Sequence, residues 1–576
     1  MDRRAVFKYM GLLAGSAALP WENRMLSAVT SPGNAVFNQS GYLPDGEKIA
    51  SVRAENGPDR SFQIYSEQTG GSVFQGQMTA PAMDAASGDR VALADFTPVT
   101  APGIYRLVTK GIRSEPFPVG KDVYLNPLKL SMRAFYGQRC GCAVDLGDGY
   151  RHATCHQAGA YHPSSGRTGA VPNRGGWHDA GDYGRYIVNS GITTGTLLWA
   201  WELYPRDLRS LSLRIPESGG KLPDYLAEIR WNLEWMLSLQ DSDGGVWHKQ
   251  TSEQFCGFIM PEDDHLTSYI IGTGASPYKS TAATADFAAV MAIAARCYHA
   301  YDSAFFERCL AAATQAWSWA VAHPQVTFAN PPGIGTGAYG DTHCNDEILW
   351  ASAELWRTTG DAQFEQAFLS GSKALPQETA IAAPTWSNVA PLAYWTYALA
   401  EQKGNGTMRS RIHAQTAAAA QSLLARWRSS GYGNTLAPTD YVWGSNGVAA
   451  NQSLLLLMAN CFAPEAQLME AALGNLHYLL GRNCFGVSWV TQVGTNPFLH
   501  PHHRPSIADH LPAPWPGLLS GGPNAKPADK VAQTLHKLPP MRMWLDDQMA
   551  PSLNEVAINW NAPLVFLLAA ANAQAH

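Results

Sequence analysis

The sequence predicts two structural classes in one chain: a small all-β sandwich, then an all-α toroid of helical hairpins. Three observations lead there. At 576 residues the chain exceeds a single typical core, so two domains are expected. Between residues 34 and 120 the apolar residues fall in short β-rich runs broken by Gly, Pro, Asp and Asn. Beyond that stretch the chain turns Ala-, Leu- and Trp-rich, with helical periodicity that recurs to its end.

The β runs are Ala35–Asn38, Ile49–Arg53, Ser61–Tyr65, Arg90–Phe96, Gly103–Thr109 and Ser114–Val119. Short strands at this spacing pack as a sandwich. A linker around Gly120–Pro127 follows. Eleven helical segments come next: Pro127–Cys140, Arg185–Leu203, Lys221–Leu239, Thr281–Ala300, Ser303–Ala322, Asn345–Thr359, Pro391–Gln402, Arg409–Arg428, Asn446–Cys461, Pro464–Leu480 and Val556–Ala573. Each is long enough for a helix. Gly- and Pro-rich loops between them carry the polar and aromatic residues. No strict repeat is visible, so the toroid rests on the number of elements.

Residues 1–30 read as an export segment. Arg3-Arg4-Ala5-Val6-Phe7-Lys8 precedes an apolar run from Tyr9 to Leu19, too short to anchor in a bilayer. Adjacent arginines before Val-Phe-Lys resemble a twin-arginine signal, so a periplasmic or extracellular destination is expected. Nine scattered cysteines do not form a disulfide framework. Charged residues make up 15% and the net charge is −6, which argues against a nucleic-acid surface. No other run is apolar enough for a membrane span. The 19 Trp, 22 Tyr and 19 Phe are consistent with a cleft for a neutral polar ligand, because pyranose C–H faces stack on aromatic rings.

The most informative stretch is Gly175-Gly176-Trp177-His178-Asp179-Ala180-Gly181-Asp182-Tyr183-Gly184. If a helix starts here, a spacing of three puts Asp179 and Asp182 on one face, about 5–6 Å apart between Cβ atoms. The plainer alternative is that Asp182 caps a helix while Asp179 is solvated. Near the other end, Glu555 stands at the predicted start of an apolar helix, preceded by Asp546-Asp547. It is either a helix-dipole glutamate or a carboxylic acid of raised pKa suited to proton donation. His500-Pro501-His502-His503-Arg504 places three His and an Arg in a Pro-punctuated loop that could hold metal, phosphate or sugar hydroxyls. Cys140, Cys155, His156 and His178 make up a donor set of the kind that closes a structural zinc site. Buried cysteines explain the same residues equally well, and Cys142 competes with Cys140.

Trp177–Tyr183, Gly494–Ser506 and Asp546–Ala562 together resemble the three signature blocks of glycoside hydrolase family 9, the cellulases and related β-glucan hydrolases. Gln138-Arg139-Cys140-Gly141, Gly340-Asp341, Asp346-Glu347-Ile348-Leu349-Trp350 and Trp443-Gly444-Ser445-Asn446 are similar to further landmarks of that family. Asn38-Gln39-Ser40-Gly41-Tyr42 resembles the opening of an immunoglobulin-like domain that precedes the catalytic domain in one branch. The resemblance covers nearly all of the chain after the export segment, in order.

It implies an (α/α)6-barrel hydrolase domain over 126–576, after an immunoglobulin-like sandwich over 34–120. It implies an inverting hydrolase of β-1,4-glucosidic bonds in cellulose-type glucans or cello-oligosaccharides. Asp182 would be the general base and Asp179 would help hold the water. Glu555 would be the general acid. His502 and Arg504 would bind substrate hydroxyls, Trp443 would contact substrate, and Asp546 would support the site. Pro551 departs from the signature, which usually has an aromatic there. The resemblance also implies zinc at Cys140, Cys155, His156 and His178, beside the aspartate loop. Calcium is implied without assigned ligands; Glu262-Asp263-Asp264 reads more readily as a solvated loop. The expected partner is a β-glucan, with the chain acting as a monomer and neither nucleic acid nor membrane involved.

The chemistry agrees with these roles. Inversion needs an acid and a base with its water on opposite faces of the sugar, with carboxyls roughly 6.5–9.5 Å apart. Local neighbours such as Asp179 and Asp182 cannot straddle a sugar, whereas Asp182 and Glu555 can. Three alternatives differ in substrate or class: an exo-acting glycosidase on amino-sugar (chitosan) oligomers, a hydrolase using the His loop with a catalytic zinc, and a non-catalytic carbohydrate-binding protein.

Overall fold

The computed structural model describes residues 35–53, 60–109, 111–373 and 381–575. The export segment predicted over 1–30 lies outside the described residues. The first unit is a sandwich with nine strands among the described residues: β1 (Ala35–Val36), β2 (Ile49–Arg53), β3 (Ser61–Ser66), β4 (Ser72–Gln77), β5 (Ala82–Met83), β6 (Arg90–Asp95), β7 (Gly103–Thr109), β8 (Ile112–Arg113) and β9 (Phe117–Val119). One sheet runs β1-β2-β6-β5; the other runs β4-β3-β7-β8, with β9 also on β7. Along β7 the buried residues are Tyr105, Leu107 and Thr109, every second position, as a half-buried strand requires. Tyr105 and Leu107 meet Phe62, Ile64, Phe96 and Phe117 in the sandwich core. The sequence reading lacks the two-residue β5 and β8 and also β4, whose Ser-Val-Phe-Gln-Gly-Gln lies at a sheet edge with no buried residue.

Twelve helices of ten or more residues follow among the described residues: α1 (Leu125–Gly137), α2 (Ile187–Leu203), α3 (Asp224–Ser238), α4 (Thr281–Tyr298), α5 (Ser303–Ala322), α6 (Asn345–Thr359), α7 (Ala362–Gly371), α8 (Ala390–Leu399), α9 (Gly406–Ser429), α10 (Ser445–Phe462), α11 (Ala466–Leu479) and α12 (Ile558–Ala573). Even-numbered helices form an inner ring. In it α12 packs on α2, α2 on α4, α4 on α6, α6 on α8, and α10 on α12. Odd-numbered helices pack outside them: α1 on α12, α3 on α2, α5 on α4, α7 on α6, α9 on α8 and α10, and α11 on α10. This is an (α/α)6 barrel, as expected.

Burial explains the two rings. In α4 every residue except Arg296 is buried, so it is apolar all round. In α9 the buried residues, Ile412, Thr416, Ala419, Ala420, Leu423 and Leu424, make one stripe with polar residues opposite. The twelfth helix, α7, was not predicted. It is short, and only Phe364 and Phe368 bury a face.

The sandwich is fused to the barrel. Val36, Leu43, Ala86 and Val91 belong to the barrel's core. The Gln39 amide donates to the Gly486 carbonyl at 2.8 Å and accepts from Thr495 and Asn496 N–H at 3.0 and 2.8 Å.

Candidate active site

The aspartate loop is not the start of a helix. It runs as bends into an extended pair, Arg185–Tyr186, and α2 begins only at Ile187. The helical-face reading of the Asp179–Asp182 spacing is thereby corrected, and so is the capping alternative. The cause is close packing. At Gly181 a Cβ would lie 2.0 Å from the His502 carbonyl oxygen, and at Gly184 it would lie 2.7 Å from Asp182 Oδ2. Only glycine fits at both positions. Arg504 clamps the loop from beneath: its Nη1 donates to the Gly181 carbonyl at 2.6 Å, while Nε and Nη2 donate to the Cys256 carbonyl at 3.2 and 3.0 Å.

Both aspartates are buried, at 2% exposure for Asp179 and 8% for Asp182. Asp179 accepts from Asn189 Nδ2 at 2.7 Å and from the Tyr339 hydroxyl at 2.6 Å. Asp182 Oδ2 accepts from Gly184 N–H at 2.9 Å and from the Tyr186 hydroxyl at 3.1 Å. Burial raises both pKa values. Asp179, further raised by the charge of Asp182, reaches about 8. Against the same burial, the Arg504 guanidinium is the strongest influence favouring the ionised form of Asp182. Two buried carboxylates that repel each other do not both ionise easily, and of the two only Asp182 has the Arg504 guanidinium among the influences favouring its charge.

Glu555 reaches the site from the far end of the chain. The sequence reading put it at a helix start. Instead a short helix, Pro551–Asn554, ends just before it, and Glu555 is extended in a parallel bridge with His502. Its carbonyl accepts from Gly521 N–H at 2.7 Å, so α12 starts later, at Ile558. Pro551 occupies the first turn of the short helix, where its missing N–H costs nothing. The Ile558 N–H donates to the Asp179 carbonyl at 2.9 Å, which ties the glutamate's segment to the aspartate loop. Glu555 is partly exposed, and Trp443 Nε1 donates to its Oε2 at 3.1 Å. Desolvation first, then the charges of Asp182 and Asp179, raise its pKa to about 8.

The His loop does not converge on one ion. His500 faces Asp546 at 3.3 Å. His502 Nδ1 lies 2.7 Å from the Gln548 carbonyl; burial lowers its pKa to about 4, so it is neutral, with Nε2 left to accept. His503 caps a short helix, Arg504–Ala508, and its Nε2 meets Gln138 Oε1 at 3.1 Å. Asp546 accepts from Leu499 and His500 N–H at 2.8 and 2.9 Å and so shapes this loop. Trp443 is 39% exposed.

Cys140, Cys155, His156 and His178 come together with donor atoms all within 4.8 Å of one another. All four residues are buried. Both ring nitrogens of His178 and Nδ1 of His156 lack a hydrogen-bond partner. His156 Nε2 lies 3.3 Å from Asp264 Oδ2, the outer support that metal-bound histidines usually have. Asp264 is therefore not part of a merely solvated loop. Cys142 stands outside the four.

Sequence reasoning missed Tyr339, Tyr186 and Asn189, which hold the named aspartates in place, and it named Asp264 only as part of a solvated loop. Tyr339 alone left a trace, since it adjoins Gly340-Asp341. A further group of buried acids, Asp286, Asp341, Asp346 and Glu347, also emerged. Both carboxylate oxygens of Asp286 and of Glu347 lack partners. Burial and mutual repulsion raise the pKa values of these two.

Comparison with known proteins follows the same lines. The family model described as Glycosyl hydrolase family 9 matches residues 124–568, and that described as Cellulase N-terminal ig-like domain matches 31–114. Endoglucanase D of Acetivibrio thermocellus is 36% identical over 92% of this chain and 82% of its own length. A xyloglucan-specific endo-β-1,4-glucanase of Bacteroides ovatus is 34% identical over 94% of each. Among solved structures, a Zn-binding triple mutant of the family 9 endoglucanase J30 aligns with a TM-score of 0.86 at 34% identity, covering 92% of this chain and 99% of that one.

Proposed function

The chain belongs to glycosyl hydrolase family 9, and on that premise we propose that it hydrolyses β-1,4-glucans by inversion, with Glu555 as general acid and Asp182 as general base. One observation carries this assignment. Glu555, with its pKa raised to about 8, is electrostatically coupled to an Asp182 whose charge Arg504 favours. At neutral pH the first holds a proton for the leaving glycosidic oxygen and the second takes one from water. Asp179 orients that water. Neutral His502 accepts from a sugar hydroxyl, and Trp443 offers its face to a ring. Asp546 and Arg504 act by holding the loops, and any contact of Arg504 with substrate uses the donors it has left. The relatives' names, among them an endoglucanase, a xyloglucan-specific endo-β-1,4-glucanase and a cellodextrinase, support β-1,4-glucans as the class, within which we infer cellulose-type glucans and cello-oligosaccharides; nothing favours amino-sugar oligomers. The test is the anomer of the first product from cellohexaose. The α anomer is expected; a β product, or faster cleavage of glucosamine oligomers, would overturn the reading.

Zinc fits the Cys140, Cys155, His156 and His178 set by donor chemistry and by the unpartnered ring nitrogens. It would be closed by four protein ligands and would pin His178 beside Asp179, a structural role. Calcium keeps no assigned ligands: among the described residues the one group whose donor atoms converge for a metal is the Cys-Cys-His-His set. Zinc removal by a chelator is expected to lower Tm and activity together. The zinc's contribution would be about 4 kcal/mol where free zinc stands at a thousand times its Kd. Activity lost at unchanged Tm would instead make the metal catalytic.

The sandwich over 34–120 buttresses the barrel domain that begins at 126. Arg3-Arg4 and the apolar run after it support export to the periplasm or beyond. Among the described residues no helix is long and apolar enough to cross a membrane. The protein acts as a monomer on its glucan, without nucleic acid.

A further inference from the structure

Lys249 is buried, with 0% exposure, and the chemistry above does not use it. It lies on a short strand, Lys249–Thr251, that pairs antiparallel with Arg185–Tyr186, and the register sets Lys249 directly opposite Tyr186. Its ammonium stands 5.5 Å from the centre of the Tyr186 ring. It also donates to Asn330 Oδ1 at 2.8 Å, Thr336 Oγ1 at 3.0 Å and the Gly337 carbonyl at 2.7 Å, in the loop that leads to Tyr339. The Tyr186 and Tyr339 rings pack with centroids 4.9 Å apart. Their hydroxyls then part: Tyr186 donates to Asp182 and Tyr339 to Asp179.

We propose that Lys249 and Tyr186 are positioning residues that hold the Asp182 carboxylate in place and keep it ionised. The inference rests on Asp182 being the general base. Lys249 holds both tyrosines, one through the ring opposite it and the other through its loop; burial lowers its pKa to about 7, and the charge of Asp182 acts against that to favour the ammonium. The Tyr186 hydroxyl supplies the direct hydrogen bond. Other groups acting on Asp182 are Arg504, which favours its charge, and Asp179 and Glu555, which share its negative field.

The test compares Tyr186→Phe, Lys249→Met and Lys249→Arg with the unaltered protein on cellohexaose across pH. Loss of the hydroxyl or of the cation raises the base's pKa, so the acidic limb of the kcat profile moves to higher pH. The expected displacement is about one unit, a tenfold loss of activity on that limb. KM should hold, and Lys249→Arg should restore the limb. Tyr186→Phe removes one atom and keeps the ring, so its folding is not at issue. An unmoved acidic limb in Tyr186→Phe overturns the proposal. A Lys249→Met protein that loses only Tm, with the limb in place, overturns the part of Lys249. Asp182→Asn separates the two levels: if it stays active the assignment of the base fails, whereas an inactive Asp182→Asn beside an unmoved Tyr186→Phe limb sinks only this inference.

Discussion

Glu555→Gln is expected to lower kcat on cello-oligosaccharides by about 10²–10⁴-fold. The amide matches the carboxyl in shape and can still accept from Trp443 Nε1. It has no acidic proton to give the glycosidic oxygen. A glucoside with a strongly acidic leaving group needs little protonation, so the variant should retain much of its rate on such a substrate. Burial and the neighbouring aspartates hold the pKa of Glu555 at about 8. An acid works only while protonated, so activity is full below that value and falls as pH rises through it. The substitution also removes a carboxyl that is costly to ionise here, so Tm should not fall. Equal losses on good and poor leaving groups would show that Glu555 is not the acid.

Asp182→Asn is expected to cost a similar factor, about 10²–10⁴, but with no relief from a better leaving group. The amide can still accept from Gly184 N–H and Tyr186, so the loop is held. It cannot take a proton from water. A second readout follows from the charge removed. Asp182 raises the pKa of Glu555, so its neutralisation lowers that value. The residual activity should then fall off at lower pH on the basic side. A basic limb left where it was, or a rate near that of the unaltered protein, would place the base elsewhere.

How far the site was legible depended on whether the cause was local. The aspartates and Glu555 stood out as carboxylates among small and apolar residues, and the family resemblance assigned their roles. Their local conformation was misread, because helical spacing and capping describe a chain acting alone. In the folded protein Gly181 meets the His502 carbonyl across more than three hundred residues, and that contact bends the loop. Glu555 is likewise drawn into a bridge with His502 in place of a helical turn. Tyr186 and Lys249 had no motif to mark them, since each acts only on a neighbouring side chain that the folded loops bring to it.

The sequence by itself determined the classes of structure and the inventory of chemistry. Period-two and period-3.6 burial are local properties, so sandwich strands and barrel helices could be read, apart from the weakly apolar β4 and α7 and the two-residue β5 and β8. Only the tertiary structure chose which carboxylates burial pushes up and which of them Arg504 favours in its charged form. That choice depends on desolvation and on the few ångströms separating Asp182, Asp179, Arg504 and Glu555, and no spacing along the chain encodes either quantity.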